Sequence, residues 1–434
     1  MSQVFHRSAS PVVAARAEGC WVYDTDGNGY LDAAGGALVN NIGHGDPTVI
    51  AAMTDQAGAV DYVHASAFTT SALEGYASAL APHLPLDEPR VFPTSGGSEA
   101  VETALKLARA FQLAKGESER DVVISRDMSY HGNTIGALDV SGRQPLRRPY
   151  LTWMGRSIKV PAVTEYRCPA PTHPHECGSW HADRLEEAIQ RVGPHKVAAF
   201  LGEPVGGATL GATVPPEGYW PAIADVCRRH GVLLIVDEVM TGFGRTGKWF
   251  GIDHYDTRPD ILVAAKGAAS GYWPLGLTVA SGEVHDAVAG AFVHGFTFSH
   301  FPIGAAVAAA VLDRLEEGRL VEAAAEKGSA LLAALQDRLS STPRVGEVRG
   351  IGLLIAIELV ADRETRRPFP RPERLAERIT AAGLDHGLLA YPSTGCADGI
   401  DGDLVLLGPP FVISEEEMGM VVDRLTAAVE QVMT

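Results

Sequence analysis

A lysine, two carboxylates, a tyrosine-histidine pair and a glycine turn each follow a short apolar run of this chain. Lys266 comes directly after Ile261–Ala265, Asp237 after Val232–Val236, Glu203 one residue after Val197–Leu201, and Ser129-Tyr130-His131-Gly132 shortly after Val122–Ile124. An amine at the end of a buried strand is costly to charge, so burial lowers its pKa toward the neutral form, which is a nucleophile. The turn Ser95-Gly96-Gly97-Ser98 precedes a helical pattern. Free N–H groups and the positive end of a helix favour an anion there, and glycines let a phosphate approach the backbone. Each feature alone has a plainer reading: a surface lysine capping a strand, a small-residue turn before a helix. Together they compose one site with an activated amine, a carboxylate and a phosphate cradle.

The elements that must position these groups read as α/β. The four runs are continuously apolar rather than alternating, which suits strands covered on both faces of a mainly parallel sheet. Such sheets collect ligands at the carboxyl ends of their strands, where the polar residues stand. Val101, Ala104, Leu105 and Ala108 recur at helical spacing and predict a helix over Ser98–Phe111. From about Ile303 to Leu339 the chain reads as helical, and Gly352–Val360, Leu404–Leu407 and Glu415–Val432 as a small α+β unit. The expected division is an N-terminal segment, 1–55, joined to the small domain, a large domain, 56–310, and a C-terminal small domain, 311–434.

Two glycine-rich or metal-like patterns lead elsewhere. Gly242-Phe243-Gly244-Arg245-Thr246-Gly247 satisfies GxGxxG, yet Asp237 to Thr241 intervene after the strand and Trp249-Phe250-Gly251 follow in place of a helix start. Trp249 also stands where a phosphate-binding loop needs the Ser or Thr that holds magnesium. Cys168, His173, His175 and Cys177 form a C-x4-H-x-H-x-C cluster interleaved with Pro169, Pro171 and Pro174. Its spacing matches no common zinc pattern, so the expectation is a surface loop and no metal.

The 434 residues carry a formal charge of -17, which disfavours nucleic acid, since phosphate recognition needs basic surface. The start, MSQVFHRSAS, lacks the apolar segment of a secretory leader, and no run approaches the roughly 20 apolar residues of a membrane span. Five scattered cysteines suit reduced thiols. A cytoplasmic protein without membrane contact is expected.

Longer stretches resemble the class III aminotransferases, the ω-amine and ω-amino-acid branch of fold type I enzymes that use pyridoxal 5'-phosphate. LLIVDEVMTGFGRTG (Leu233–Gly247) and PDILVAAKGAASGYWPLG (Pro259–Gly276) carry the resemblance most specifically. SGGSEAVETALKLARAF, SYHGNTIGAL, GEPVGG, HGFTFSHFPIGAA, RGIGLLIAIEL and GPPFVISEEE follow in family order, so it runs from about Gly19 to the C-terminus. The resemblance implies a large domain with a mainly parallel sheet between helices and a small α+β domain. Lys266 would be the Schiff-base lysine, and Asp237 the carboxylate that holds the ring nitrogen protonated, keeping the ring an electron sink. Val239 would press one ring face and Tyr130 stack on the other, with His131 and Glu203 lining the cofactor pocket. Gly96 and Gly97, with Ser95 or Ser98, would hold the phosphate, and Thr297 would reach it from the neighbouring subunit of a homodimer, or of a dimer of dimers.

The implied reaction is ping-pong transfer from a primary amine or ω-amino acid to a keto acid such as pyruvate or 2-oxoglutarate, through pyridoxamine phosphate. An aminomutase or decarboxylase of the same fold would use the same lysine and aspartate. A non-catalytic scaffold is disfavoured because Lys266, Asp237, Tyr130 and Thr297 are all present. One departure bears on the substrate: DGIDGDLVLLGPP stands where many relatives carry an arginine for a substrate carboxylate, and no arginine lies between Arg378 and Arg424. Donors without a carboxylate on the reacting carbon are therefore expected, with Asp398, Asp401 and Asp403 favouring a distal positive charge. Arg143, Arg147 or Arg349 is expected to serve the acceptor's carboxylate. Trp21, Leu38, Val39, Phe68 and Trp153 are candidates for substrate discrimination.

Overall fold

Apolar runs long enough for one strand each, separated by amphipathic helices, assemble into a seven-stranded sheet in the computed structural model, which describes residues 3–7, 12–155 and 157–433. The strand order is Arg90–Thr94, Gly276–Ala280, Ile261–Ala264, Leu233–Asp237, Val197–Gly202, Val122–Arg126, Ser157–Val160. Gly276–Ala280 runs antiparallel to both neighbours, and the other strand pairs are parallel. The central strands Val197–Gly202, Leu233–Asp237 and Ile261–Ala264 are buried at every residue, as continuous apolarity predicts.

The helix Gly97–Ala114 lies across one face of this sheet. It buries Ala100, Val101, Ala104, Leu107, Ala108 and Phe111, whereas Leu105 is only partly buried, so the apolar stripe sits slightly round from the expected one. Helices Cys177–Val192 and Tyr219–His230 pack together, with Leu185, Ile189, Trp220 and Ile223 in the same core as the sheet residues Phe200 and Leu234. Burying each large apolar side chain of this kind contributes about 1.5–3 kcal/mol.

A second sheet takes Val345–Ile351, Leu354–Asp362, Asp403–Leu407 and Tyr391–Thr394, all antiparallel. The N-terminal strands Ala14–Glu18, Trp21–Asp24 and Gly29–Asp32 form a meander that pairs with Leu388–Leu389, tying the start of the chain to its C-terminal part. The helical stretch expected over 303–339 is two helices, Pro302–Glu317 and Leu320–Leu339, parted at Gly318–Arg319, where Arg319 adopts a left-handed φ of 47°. Residues 55 and 310, taken above as limits of the large domain, lie inside the helices Pro47–Ala59 and Pro302–Glu317, which pack on each other. A continuous hydrogen-bonded helix offers no break, so we propose that the large domain begins ahead of Pro47 and ends at Gly318. Among the described residues no helix is long and apolar enough to cross a membrane.

Candidate active site

Lys266 sits two residues past the strand Ile261–Ala264, in a turn that gives it a left-handed φ of 43°. A non-glycine residue holds that conformation at a cost of about 1–3 kcal/mol and persists only where its surroundings over-determine it. Here the turn aims the amine into a cavity of about 410 Å³ at the carboxyl ends of the parallel strands. Burial pulls the Lys266 pKa down to about 8; Asp237 and Glu203 oppose the shift and Arg245 adds to it. The neutral, nucleophilic amine is therefore far more accessible than in an ordinary lysine.

Asp237 closes its strand, buried and facing the same cavity. Its Oδ1 accepts from the Val239 N–H at 3.0 Å, and its Oδ2 lies 2.6 Å from His131 Nδ1. A carboxylate only accepts, so His131 Nδ1 carries the proton and donates it. The backbone N–H of His131 donates in turn to Ser141 Oγ at 2.8 Å, and its buried Nε2 has no partner. His131, read from the sequence as a cofactor contact, thus also holds the carboxylate in orientation. Glu203 is buried on the cavity wall; Gly207 N–H donates to its Oε1 at 3.0 Å, and burial raises its pKa against the opposing pull of His131 and Arg126. The Arg126 guanidinium donates to the Glu203 carbonyl at 2.6 Å and lies over the rings of Trp220 and Tyr219.

The glycine turn opens the 18-residue helix Gly97–Ala114 and lines the cavity from Ser95 to Ser98. Nothing lies within 4 Å of where a Cβ on Gly96 would stand, so the backbone there is open to a ligand. A Cβ on Gly97 would come within 3.1 Å of Val239 Cγ1, which places Val239 beside the helix N-terminus. Ser98 Oγ accepts from Asn133 N–H at 3.1 Å, and the Ser95 N–H donates to the Glu99 carboxylate at 2.8 Å. Tyr130, half-buried, lines the same cavity.

Ten of the eleven residues expected at the site therefore meet around one cavity. Thr297 does not: it lies with His294, Phe296 and Ser299 at a separate cavity of about 520 Å³, its carbonyl accepting from Tyr62 Oη at 3.1 Å. Sequence reasoning passed over Met240, Thr241 and Trp273 on the cavity wall and Arg126, which donates to the Glu203 carbonyl. The strand after Val122 continues to Arg126, and reading it two residues further would have placed that arginine near Glu203. Of the five candidates for substrate discrimination, Val39 lines the cavity, Leu38 is buried, Trp21 donates to Glu417, and Phe68 and Trp153 are exposed.

The model of the family Aminotransferase class-III matches residues 4–429. The chain belongs to the class III aminotransferases. It is 38% identical over 430 residues to the uncharacterized aminotransferase YodT of Bacillus subtilis, covering 98% of this chain and 96% of that one. It is also 33% identical to the putrescine–pyruvate aminotransferase of Pseudomonas aeruginosa, covering 96% and 90%. Among solved structures, an (S)-enantioselective ω-transaminase from Thermomicrobium roseum superposes with a TM-score of 0.92 at 39% identity, covering 98% and 94%. The ω-transaminase of Pseudomonas jessenii in complex with PMP superposes with a TM-score of 0.93 at 33% identity, covering 100% and 96%. This aminotransferase accordingly has the fold type I architecture and uses pyridoxal 5'-phosphate, with an amine and a keto acid as substrates.

The residues of this aminotransferase fit that cofactor by their chemistry. An amine with a lowered pKa suits an aldehyde, an oriented carboxylate suits a ring nitrogen, and an open helix N-terminus suits a phosphate. The cavity volume is also within the roughly 300–1,000 Å³ of small-molecule sites.

Two expectations about substrate charge change. Arg349 is engaged elsewhere: its guanidinium pairs with Glu347 and Glu358 at 2.6 and 2.7 Å, and donates to the Gly211 carbonyl at 2.7 Å and to that of Leu210. Asp398, Asp401 and Asp403 are absent from the cavity wall. Asp398 accepts instead from the backbone N–H groups of Ile400 and Asp401 within the loop, and Asp401 and Asp403 accept from those of Arg371 and Ala376, tying the loop to that segment.

Proposed function

We propose that this aminotransferase moves an amino group from a primary amine or ω-amino acid to a keto acid such as pyruvate or 2-oxoglutarate, in two ping-pong half-reactions that share one cavity. The observation that carries the reading is the buried Lys266 amine in one cavity with the His131-oriented Asp237 carboxylate. Pyridoxal phosphate, when bound, supplies an aldehyde and an electron-withdrawing ring. Lys266 would hold it through its amine and would serve as the general acid/base for the proton at the donor carbon. Asp237 would hold the ring nitrogen, Val239 and Tyr130 would flank the ring, His131 and Glu203 would complete the wall, and Ser95, Gly96, Gly97 and Ser98 would hold the phosphate. Arg147 is paired with Asp139 at 3.6 Å, which leaves Arg143 as the cation for an acceptor carboxylate; its charge already lowers the Tyr130 pKa against the raising effect of burial. The segment of Thr297 would reach the phosphate of a second copy in a homodimer, a reading supported by its place at a cavity separate from that of Lys266. A cytoplasmic location accords with this chemistry.

Half-reactions test it. Bleaching of the cofactor absorbance by a diamine or a simple primary amine is expected to outpace that by α-amino acids other than alanine or glutamate, and the reverse order sinks the donor assignment. Lys266→Ala is expected to abolish both turnover and the borohydride-reducible adduct. Because the Lys266 pKa lies below its ordinary 10.5, the free amine appears as pH rises through about 8. Borohydride trapping of added pyridoxal phosphate on the cofactor-free enzyme should climb from pH 7 and level off near pH 9; a climb continuing to 10.5 contradicts the shift. The sign for stability is the same: protonating this group costs the fold stability in full below about pH 8, and the cost is relieved between 8 and 10.5.

A further inference from the structure

The chain from Thr164 to Glu176 is irregular, as its prolines predict, and leads into the helix Cys177–Val192. Its fold nevertheless gathers three side chains that the spacing alone did not. Cys168 Sγ lies 3.5 Å from Cys177 Sγ, and His173 Nδ1 lies 3.3 Å from Cys177 Sγ. All three donor atoms fall within 4.8 Å of one another. We infer that Cys168, His173 and Cys177 form a zinc site that fastens this loop, separate from the transamination cavity.

Two sulfurs and an imidazole nitrogen are the donor set zinc takes in closed structural sites and in sites with one open position. Zinc–sulfur bonds of about 2.3 Å and zinc–nitrogen bonds of about 2.0 Å, at tetrahedral angles, set sulfur–sulfur and sulfur–nitrogen separations of about 3.8 and 3.5 Å. The two distances from Cys177 Sγ are within a few tenths of an ångström of these, and Cys168 Sγ and His173 Nδ1 lie within 4.8 Å of each other. Two thiolates and a neutral imidazole balance the charge of one Zn²⁺. Cys177 is buried, Cys168 half-buried and His173 exposed, which gives the ion a path of entry along the histidine. His175 belongs to the sequence cluster, but its ring is outside the gathered group; its carbonyl accepts from the Cys177 thiol at 3.8 Å, and the fourth position falls to water.

The location assigns the site a purpose. Arg167, adjacent to Cys168, grips Glu358 of the strand Leu354–Asp362 through Nε and Nη2, both at 2.8 Å, and donates to the Arg366 carbonyl at 2.6 Å. Glu358 also holds Arg349, which bonds the carbonyls of Leu210 and Gly211, close in sequence to the cavity residues Val205 and Ala208. A metal at Cys168 would therefore fix the loop from which the two sheets are joined.

The experiment measures metal rather than transamination, so its failure and that of the functional proposal are distinguishable. Holoenzyme produced with zinc and dialysed against a weak chelator is expected to keep about one zinc per chain by elemental analysis. Replacement by Co²⁺ is expected to give a thiolate-to-cobalt charge-transfer band and the intense visible bands of a tetrahedral site. Cys168→Ser and His173→Ala should each lower zinc affinity by at least about tenfold while the amine half-reaction persists. His173 is exposed, so its variant remains informative should the cysteine variant fail to fold. A metal-free protein, a cobalt spectrum without the thiolate band, zinc retained by both variants, or a Cys168–Cys177 disulfide in protein purified without oxidant would each overturn the site.

Discussion

Two glycine turns of this aminotransferase look alike in sequence and serve opposite ends. Ser95-Gly96-Gly97-Ser98 opens a long helix and leaves its backbone bare toward the cavity. Gly242 to Gly247, the better match to a nucleotide motif, opens nothing. It wraps a fully buried guanidinium: Arg245 donates to the carbonyls of Leu353, Pro409 and Asn40 and to Asn41 Oδ1 at 2.7 to 3.1 Å, and stacks over Phe411 at 4.7 Å. Its glycines make room for side chains and backbone. A Cβ on Gly244 would come within 2.9 Å of Phe411, and one on Gly247 within 2.7 Å of Ala325. A glycine turn followed by a helix N-terminus favours an anion, whereas the turn around Arg245 packs against its own chain.

The contrast breaks most readily at Arg245. Arg245→Met removes four hydrogen bonds to buried oxygens of three distant chain segments, and a loss of about 3–5 kcal/mol in urea unfolding is expected. A loss below about 1 kcal/mol would mean that the loop is not a joint. A smaller effect is expected for Gly247→Ala, whose backbone is left-handed (φ 83°) and whose Cβ would meet Ala325. About 1–3 kcal/mol should go, with cofactor affinity of the folded enzyme unchanged; weakened affinity at full stability would turn the loop back into a ligand site. Gly96→Ala sharpens the other half. Its φ of 174° is open to any residue and nothing crowds the new methyl, so stability should move by less than about 0.5 kcal/mol. Pyridoxal phosphate affinity, measured by equilibrium titration, should fall about tenfold, the scale of one hindered hydrogen bond to a charged group. Unchanged affinity would place the phosphate elsewhere.

Much of the central sheet was legible because its strands are buried on both faces and therefore continuously apolar: Leu233–Asp237 and Val197–Gly202 differ by a residue from their apolar runs. The N-terminal meander was not. Its first strand, Ala14–Glu18, is largely exposed, the other two are short, and its place depends on pairing Leu31 with Leu388 across the length of the chain. The break at Gly318–Arg319 went unseen for a related reason: both flanking helices share one Ala- and Leu-rich composition, and a single left-handed residue parts them.

From residue types and local periods alone came Lys266, Asp237, Glu203 and the helix-opening glycine turn, because strand ends and helix starts are written in a few neighbouring residues. Tertiary structure alone decided that His131 holds Asp237, that Arg349 is locked to Glu358, that Thr297 stands away from its own chain's cavity, and that Cys168, His173 and Cys177 converge. Each of these is a relation between side chains that the backbone brings within a few ångströms. Local sequence sets the period of a strand or helix, whereas such distances follow from how whole elements pack.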